Sequence, residues 1–146
     1  MKRSTGLRNY LLATGSLKAA LDGKVIKIYS GTAPDTADAA LNSDNTLLCT
    51  VSVNDTGTGV ALDSTASSGQ ISKSSNEVWS GTIATSGTAS FFRMETSADD
   101  NSASTTAVRL QGTVGNTDAD MIFGTLALVA GNVRQINYFT ASVSAG

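Results

Sequence analysis

The chain has 146 residues, a formal net charge of −2 and no histidine. Its length predicts one domain with a core of its own, and the missing histidine excludes the Ser-His-Asp triad, the Cys-His pair and the usual zinc sites. Nearly half of the residues are Ser, Thr, Ala or Gly and only 15% are charged, a composition common in β-rich extracellular or assembly proteins.

The first predicted element is a single amphipathic helix over residues 5–21. Its apolar side chains recur at spacings of three and four and so share one face: Leu7, Tyr10, Leu11, Thr14, Leu17 and Leu21. Ser4 or Thr5 can cap the start, and Gly23 follows the end. Gly15 weakens the middle by about 1 kcal/mol relative to Ala, so this helix needs a partner surface, either its own β-domain or a neighbouring subunit.

After Gly23 the apolar period changes to two, which predicts about eight short strands with one solvent-facing side each. The strand candidates are KVIKIYS (24–30), TLLCTVSV (46–53), GVALDS (59–64), EVWSGTIA (77–84), ASFFRMET (89–96), AVRLQGTV (107–114), GTLALVA (124–130) and VRQINYFTASV (133–143). This pattern predicts a mainly β, single-domain protein: an antiparallel β-sandwich, jelly-roll-like, over residues 24–146, preceded by an N-terminal helical segment over 1–23.

The alternation also predicts which side chains face the core. Leu47, Cys49, Val51 and Val53 are expected on one face of the second strand, and Trp79 is expected to be a large buried anchor. The side chains expected to face solvent on later strands are Phe91, Arg93, Glu95, Arg109, Gln111 and Thr113.

Three connecting stretches have distinct compositions. Residues 28–40, IYSGTAPDTADAA, contain the only proline and two aspartates, Asp35 and Asp38. Gly31 permits a tight turn and Pro34 restricts the backbone, which predicts a rigid connector without catalytic groups. The polar stretches 63–77 and 96–106 are predicted to be mobile loops.

Few residues are candidates for chemistry. The lone Cys49 is predicted to be a buried structural thiol, and nothing pairs the carboxylates Glu77 and Glu95 as a glycosidase would require. Asn116, Asp118 and Asp120 alternate as in a calcium loop, but the Gly and distant Glu of such a loop are missing, so a turn is favoured. We therefore expect no catalysis, no cofactor and, apart from this weak metal candidate, no metal site.

The charge is unevenly distributed. The first 27 residues carry six basic residues and one acidic residue, a net charge of +5, and the remainder carries −7. One hypothesis makes the N-terminal segment the docking element on a partner or sister subunit, with an apolar anchor and a basic rim: Leu7, Leu11, Leu17, Arg3, Arg8 and Lys18. The competing hypothesis is that the helix only covers its own sandwich. No apolar run predicts membrane insertion, and no basic and aromatic stripe predicts specific nucleic-acid binding.

Several segments, in order, resemble a family of small tailed-bacteriophage proteins that are mostly uncharacterised virion structural products. They are STGLRNYLLATGSLKAALDG, IYSGTAPDTADAA, TLLCTVSV, EVWSGTIATSGTASFFRMET and LQGTVG, and they cover most of the chain. The resemblance implies a component of the phage particle, located in the virion and assembled in the bacterial host cytoplasm. It carries over no catalytic or binding residues.

Three roles are compatible with this resemblance. The first is a capsid decoration (cement) protein that contacts the major capsid protein or other virion proteins, with a homo-oligomer expected. The second is a neck, tail or fibre-associated protein. The third is a carbohydrate-binding or host-attachment module, which requires exposed aromatic rings beside polar groups.

Overall fold

The structure, a computed structural model that describes residues 1–145, is mainly β. Two short helices lie near the N-terminus, α1 (Thr5–Ala13) and α2 (Leu17–Leu21). The strands of the described residues are β1 (Lys2–Arg3), β2 (Val25–Ser30), β3 (Thr46–Val53), β4 (Gln70–Ser72), β5 (Trp79–Thr82), β6 (Gly87–Thr88), β7 (Phe91–Glu95), β8 (Leu110–Gly115), β9 (Met121–Ile122), β10 (Ala127–Leu128), β11 (Val133–Ile136) and β12 (Thr140–Ser142).

The strands pair as one large sheet and two ribbons. The eight-stranded sheet has the order β1-β8-β7-β2-β3-β5-β11, and β9 adds to β8 in parallel. The ribbons are β6–β10 and β4–β12. The mainly β class with an N-terminal helical segment is confirmed, and the sheets are one large and two small rather than a pair of similar size.

The prediction of one helix over residues 5–21 is wrong, because the helix breaks at Thr14–Ser16. The N–H groups of Thr14 and Gly15 both donate to the Tyr10 carbonyl, which ends α1. Ser16 then adopts an extended backbone, and its hydroxyl accepts from the Ala19 N–H at 3.1 Å. Ser16 is therefore a second N-cap, and α2 begins one residue later.

A β-bulge changes the predicted faces of β3. Ile28 pairs with Cys49 but Tyr29 pairs with Leu47, so Leu48 is an extra residue in this ladder. As a result Leu48 is fully buried and Leu47 is 39% exposed. The prediction that Leu47 shares a face with Cys49 is therefore wrong. The prediction that Cys49 and Val51 are both buried is confirmed.

One face of the large sheet meets an apolar core. Ile26, Ile28, Phe92, Met94 and Leu110 alternate on β2, β7 and β8 and are buried there. The predicted burial of Trp79 is confirmed; its ring packs against that of Phe139, which in turn contacts the edge of the Phe92 ring, with centroids 5.6 and 6.0 Å apart.

Most of the opposite face of β2, β7 and β8 is also buried, so the prediction that it faces solvent is wrong for Phe91, Arg93, Glu95, Arg109 and Gln111; only Thr113 of the predicted set is exposed. The segments 31–45 and 96–108, which we call the two covering loops, lie over it and hydrogen-bond to its side chains. Its buried polar members are Lys27, Arg93, Glu95, Arg109 and Gln111. The stretch 96–106 is therefore tied to the sheet rather than free of it.

Two other strand predictions are wrong in part. GVALDS forms only isolated bridges, Lys24 with Val60 and Leu62 with Lys73. VRQINYFTASV divides into β11 and β12, separated by residues 137–139. In the part of the chain that the structure describes, neither helix is long and apolar enough to cross a membrane.

Candidate functional site

Two of the three predicted docking leucines lie inside the protein. Leu7 and Leu17 are buried in the main core, and Leu11 packs partly against it. Leu7 and Leu17 cannot form a free apolar anchor, so the docking hypothesis is wrong for these two side chains, while Leu11 is half-buried. The reason is that α1 and α2 use their apolar face to cover their own domain. The most exposed apolar side chain of α1 is instead Leu12, which is 85% exposed.

The predicted basic rim is partly engaged within the chain. Lys18 forms an ion pair with Asp22 at 2.7 Å and donates to the Leu62 carbonyl. Arg3 donates to the Ser142 carbonyl. Arg8 is exposed, and its guanidinium donates to the Thr5 hydroxyl. Arg8 is thus the member of this set that most nearly fits a partner contact.

The three calcium candidates do not converge on one point. Asp120 accepts hydrogen bonds from the Met1 ammonium group and from the N–H and hydroxyl of Thr113. Asn116 donates its amide to the carbonyls of Phe123 and Gly124. Among residues 1–145 no group of three or more acidic, Cys or His side chains is placed to hold a metal ion. The turn interpretation of this segment fits the geometry.

The remaining reactive side chains have structural partners. Glu77 accepts from the Ala61 N–H and from Trp79 Nε1, both at 2.8 Å. Cys49 is buried, as predicted, and burial raises the pKa of its thiol to about 11, with the Asp55 charge acting in the same direction. A thiol of that pKa is almost entirely protonated at neutral pH.

The most elaborate polar arrangement is a buried charge cluster of Lys27, Arg93, Glu95, Asp99 and Arg109. Arg109 binds Asp99 through two bonds, Nε to Oδ2 at 2.8 Å and Nη2 to Oδ1 at 2.7 Å. Lys27 Nζ lies 3.0 Å from Glu95 Oε1. Such buried pairs require good geometry because desolvation of the ions is costly.

Glu95 is the least satisfied member of this cluster. Its Oε1 accepts from the Asn101 amide at 2.8 Å, whereas its Oε2 is buried without a hydrogen bond and lies 3.9 Å from Arg109 Nε. Burial raises the pKa of Glu95, against the opposing effects of Asn101 and Lys27. Burial acts in the same direction on Asp99, but hydrogen bonds from Arg109 and from the Asn101 N–H outweigh it and lower the Asp99 pKa.

The cluster also determines the path of residues 34–39, the centre of the connector noted in the sequence. Arg93 Nη2 donates to the Ala39 carbonyl at 2.8 Å, Arg109 Nη1 to the Ala37 carbonyl at 3.4 Å, and Gln111 Nε2 to the Pro34 carbonyl at 2.8 Å. Arg93, Arg109 and Gln111 thus fix three carbonyl groups of this loop by hydrogen bonds. This connector is a structural cover for the charge cluster.

A second candidate site is a surface groove of about 540 Å³, which we call the 120–140 groove. It is lined by residues 120–124 and 134–140. Tyr138 is 92% exposed and Ile122 is 56% exposed. The Arg134 guanidinium lies 4.3 Å from the centroid of the Phe123 ring. The groove therefore combines aromatic, apolar and polar groups on an open surface.

Sequence reasoning missed both of these sites. The charge cluster has a sequence signal in hindsight: Arg93, Glu95, Arg109 and Gln111 share one strand face, and charges at such density seldom line up without partners. The groove has no comparable signal, because VRQINYFTASV reads as one continuous strand and hides the break at residues 137–139. A comparison of the chain with known protein families, curated proteins and solved structures finds no match.

Proposed function

We propose that the protein is a non-enzymatic structural component of a tailed-bacteriophage particle, and that its role is that of a capsid decoration (cement) protein. It acts in the virion by binding the major capsid protein or other virion proteins, with self-association as part of that assembly. The ordered resemblance of five sequence segments to phage virion proteins supports this proposal.

The structural observation that favours a binding role is the distribution of exposed apolar side chains. Within residues 1–145, nine large apolar side chains are exposed, and five of them fall in the last quarter of the chain: Ile122, Val129, Val133, Tyr138 and Val143. These five side chains are close in sequence, and exposed apolar groups of this size are the usual contacts of interaction surfaces. This region, rather than the leucines of α1 and α2, is the better candidate for the contact with a partner.

The arrangement of Val129 and Val133 fits a preformed contact. The Asn132 N–H donates to the Val129 carbonyl, which closes a tight turn between β10 and β11. The Gly131 N–H and the Asn132 carbonyl also bond to Ile83. The two valines are thus presented at a turn that is tied to the sheet, so binding would require little ordering of the chain.

Quantitative mass spectrometry of gradient-purified particles, from a phage that encodes this chain, tests the role. A cement protein is expected in a copy number comparable with that of the major capsid protein. A copy number of a few per particle would favour the neck, tail or fibre alternative. Absence from purified particles would overturn the proposal.

A second measurement tests the surface. Particles lacking the protein are incubated with purified wild-type chain or with the double variant Val129→Ser, Val133→Ser. We expect the double variant to bind at least tenfold more weakly, about 1.4 kcal/mol, because two apolar contacts are lost. Leu12→Ser, which removes a still more exposed apolar side chain on α1, is the control and should bind normally. Unchanged binding of the double variant would exclude this surface.

A further inference from the structure

The 120–140 groove lies where the two ends of the large sheet meet. Strand β9 adds to β8 near one end of the strand order, and β11 is the last strand at the other end. Residues of both strands line the same groove. The sheet therefore curls until its two ends face each other, and the groove is the gap between them. Its position is set by the sheet architecture, and the connecting residues 137–139 between β11 and β12 complete its lining.

The Tyr138 ring lies at the rim of the groove and is exposed to solvent. Tyr138 has almost no protein contact, and the neighbouring lining residue Ile122 is more than half exposed. An exposed ring at the edge of a concavity offers a flat apolar surface with a negative face. The C–H groups on one side of a pyranose ring are the complementary surface, because they are flat, weakly apolar and slightly positive.

Hydrogen-bonding groups lie next to this ring. Gln135 Nε2 donates to Asn137 Oδ1 at 2.9 Å, which orients the two amides and leaves Gln135 Oε1 and Asn137 Nδ2 without a partner in residues 1–145. In the same described part of the chain, the N–H groups of Asn137, Tyr138 and Phe139 make no hydrogen bond. Neutral amides that offer both donors and acceptors match sugar hydroxyls, which are donors and acceptors at once.

The charged residues of the groove are already engaged. Asp120 binds the Met1 ammonium group and Thr113. Arg134 lies over Phe123 and donates through Nη2 to the Thr125 carbonyl, while its Nε is buried without a hydrogen bond among the described residues. The groove therefore favours a neutral, polyhydroxylated ligand over a strongly charged one.

We propose that the 120–140 groove is a glycan-binding site, in which one sugar ring stacks on Tyr138 and neighbouring hydroxyls bond to the Gln135 and Asn137 amides and to the free backbone N–H groups. This function goes beyond the virion role and is independent of it, since a head, tail or fibre protein can carry such a site.

The test begins with the purified chain on a printed array of bacterial surface polysaccharides, together with chitohexaose and cellohexaose. The strongest-binding oligosaccharide is then titrated into ¹⁵N-labelled protein. The proposal predicts saturable shifts confined to residues 120–124 and 134–140. Tyr138→Ala should weaken binding about tenfold, equivalent to about 1.4 kcal/mol, whereas Tyr138→Phe, which keeps the ring, should bind normally.

Asn137→Ala provides a second, independent variant and should also weaken binding. Leu12→Ala, an exposed change on α1, is the matched control and should leave both binding and thermal stability unchanged. The proposal is overturned if no glycan on the array binds, if shifts map outside the groove, or if Tyr138→Ala binds as wild type. Selection of an extended peptide that occupies the groove, with no glycan bound, would likewise replace the glycan proposal by strand addition.

Discussion

The two faces of β2, β7 and β8 are both buried, but they are buried in different ways. On one face Ile28, Phe92 and Met94 pack into an apolar core. On the other face Arg93, Glu95 and Arg109 are just as inaccessible to solvent, yet all three have polar partners in the two covering loops. The two arginines donate to a backbone carbonyl and a carboxylate, and Glu95 accepts from the Asn101 amide. Alternation along a strand thus tells which side chains share a face, and it does not tell whether that face meets water.

The difference has an energetic meaning. Apolar packing is roughly proportional to the area removed from water and tolerates small shifts in position. A buried guanidinium is tolerated only where its donors find acceptors, so it defines the positions of those acceptors. The apolar face mainly supplies stability, and the charged face determines where residues 34–39 and 99–102 lie.

The largest expected effect is on the apolar side. Trp79→Ala should lower the free energy of unfolding by about 3–5 kcal/mol, because it leaves a large cavity beside Phe139. Urea unfolding followed by circular dichroism measures the loss. Val78→Ala, its exposed neighbour, should change stability by no more than about 0.5 kcal/mol. A loss below about 1 kcal/mol for Trp79→Ala would show that this ring does not anchor the core.

The next effect distinguishes the two faces. Arg93→Met should cost about 3 kcal/mol, because it leaves the Ala39 carbonyl and Gln111 Oε1 without their donor. It should also increase hydrogen exchange of residues 34–39. Trp79→Ala should not increase it when the two variants are compared under conditions that give them the same free energy of unfolding. Arg8→Met is the exposed control. Unchanged exchange in this segment would mean that the loop holds its position without Arg93.

Two carboxylates of the charged face should respond to pH with opposite signs. Burial raises the Glu95 pKa, so the folded state holds that proton more tightly than the unfolded chain. The stability of wild type relative to Glu95→Gln should therefore be greatest below the ordinary carboxyl pKa and decrease as pH rises through the folded-state pKa, by at most about 1.4 kcal/mol per pH unit.

Asp99 provides the matched comparison, because its pKa is lowered in the folded protein. Its contribution relative to Asp99→Asn is present above the ordinary carboxyl pKa and is lost as pH falls through the folded-state value. Urea unfolding of wild type and both variants, from about pH 3 to pH 8, measures the two slopes. Slopes of the same sign would contradict the view that burial dominates the Glu95 pKa and that ion pairing dominates the Asp99 pKa.

The smallest predicted effect concerns the link between a covering loop and α1. Asp38 accepts from the Thr5 N–H at 2.7 Å and the Thr5 hydroxyl at 2.6 Å, at the start of the helix. Asp38→Ala should cost about 1 kcal/mol through the lost hydrogen bonds and helix-dipole interaction. Asp35→Ala, an exposed aspartate in the same loop, is the control. Equal thermal shifts for both variants would show that the link is not stabilising.

The amount of structure predictable from sequence differs between elements for physical reasons. Local periodicity identified β2, β7 and β8, and Trp79 was correctly assigned to the core. The bulge at Leu48 and the helix break at Gly15 depend on single residues that a periodic pattern averages over. The stretch 96–106 was misjudged as mobile, because a polar composition describes both a solvated loop and one held by buried arginines, whereas Gly31 and Pro34 correctly indicated that the connector 28–40 is rigid. The groove depends on how the sheet closes, which no local pattern contains.

Ser4 connects distant parts of the chain. Its hydroxyl donates to the Ala107 carbonyl and accepts from the N–H groups of Leu7 and Arg109, across a separation of 103 residues to Ala107. During synthesis, α1 leaves the ribosome long before β8 does. The N-terminal segment therefore cannot reach its final position, and Leu7 stays exposed to solvent, until most of the chain has emerged. The packing of this segment onto the sheet is expected to be a late step of folding. Before that step, a chaperone could bind its exposed apolar side chains.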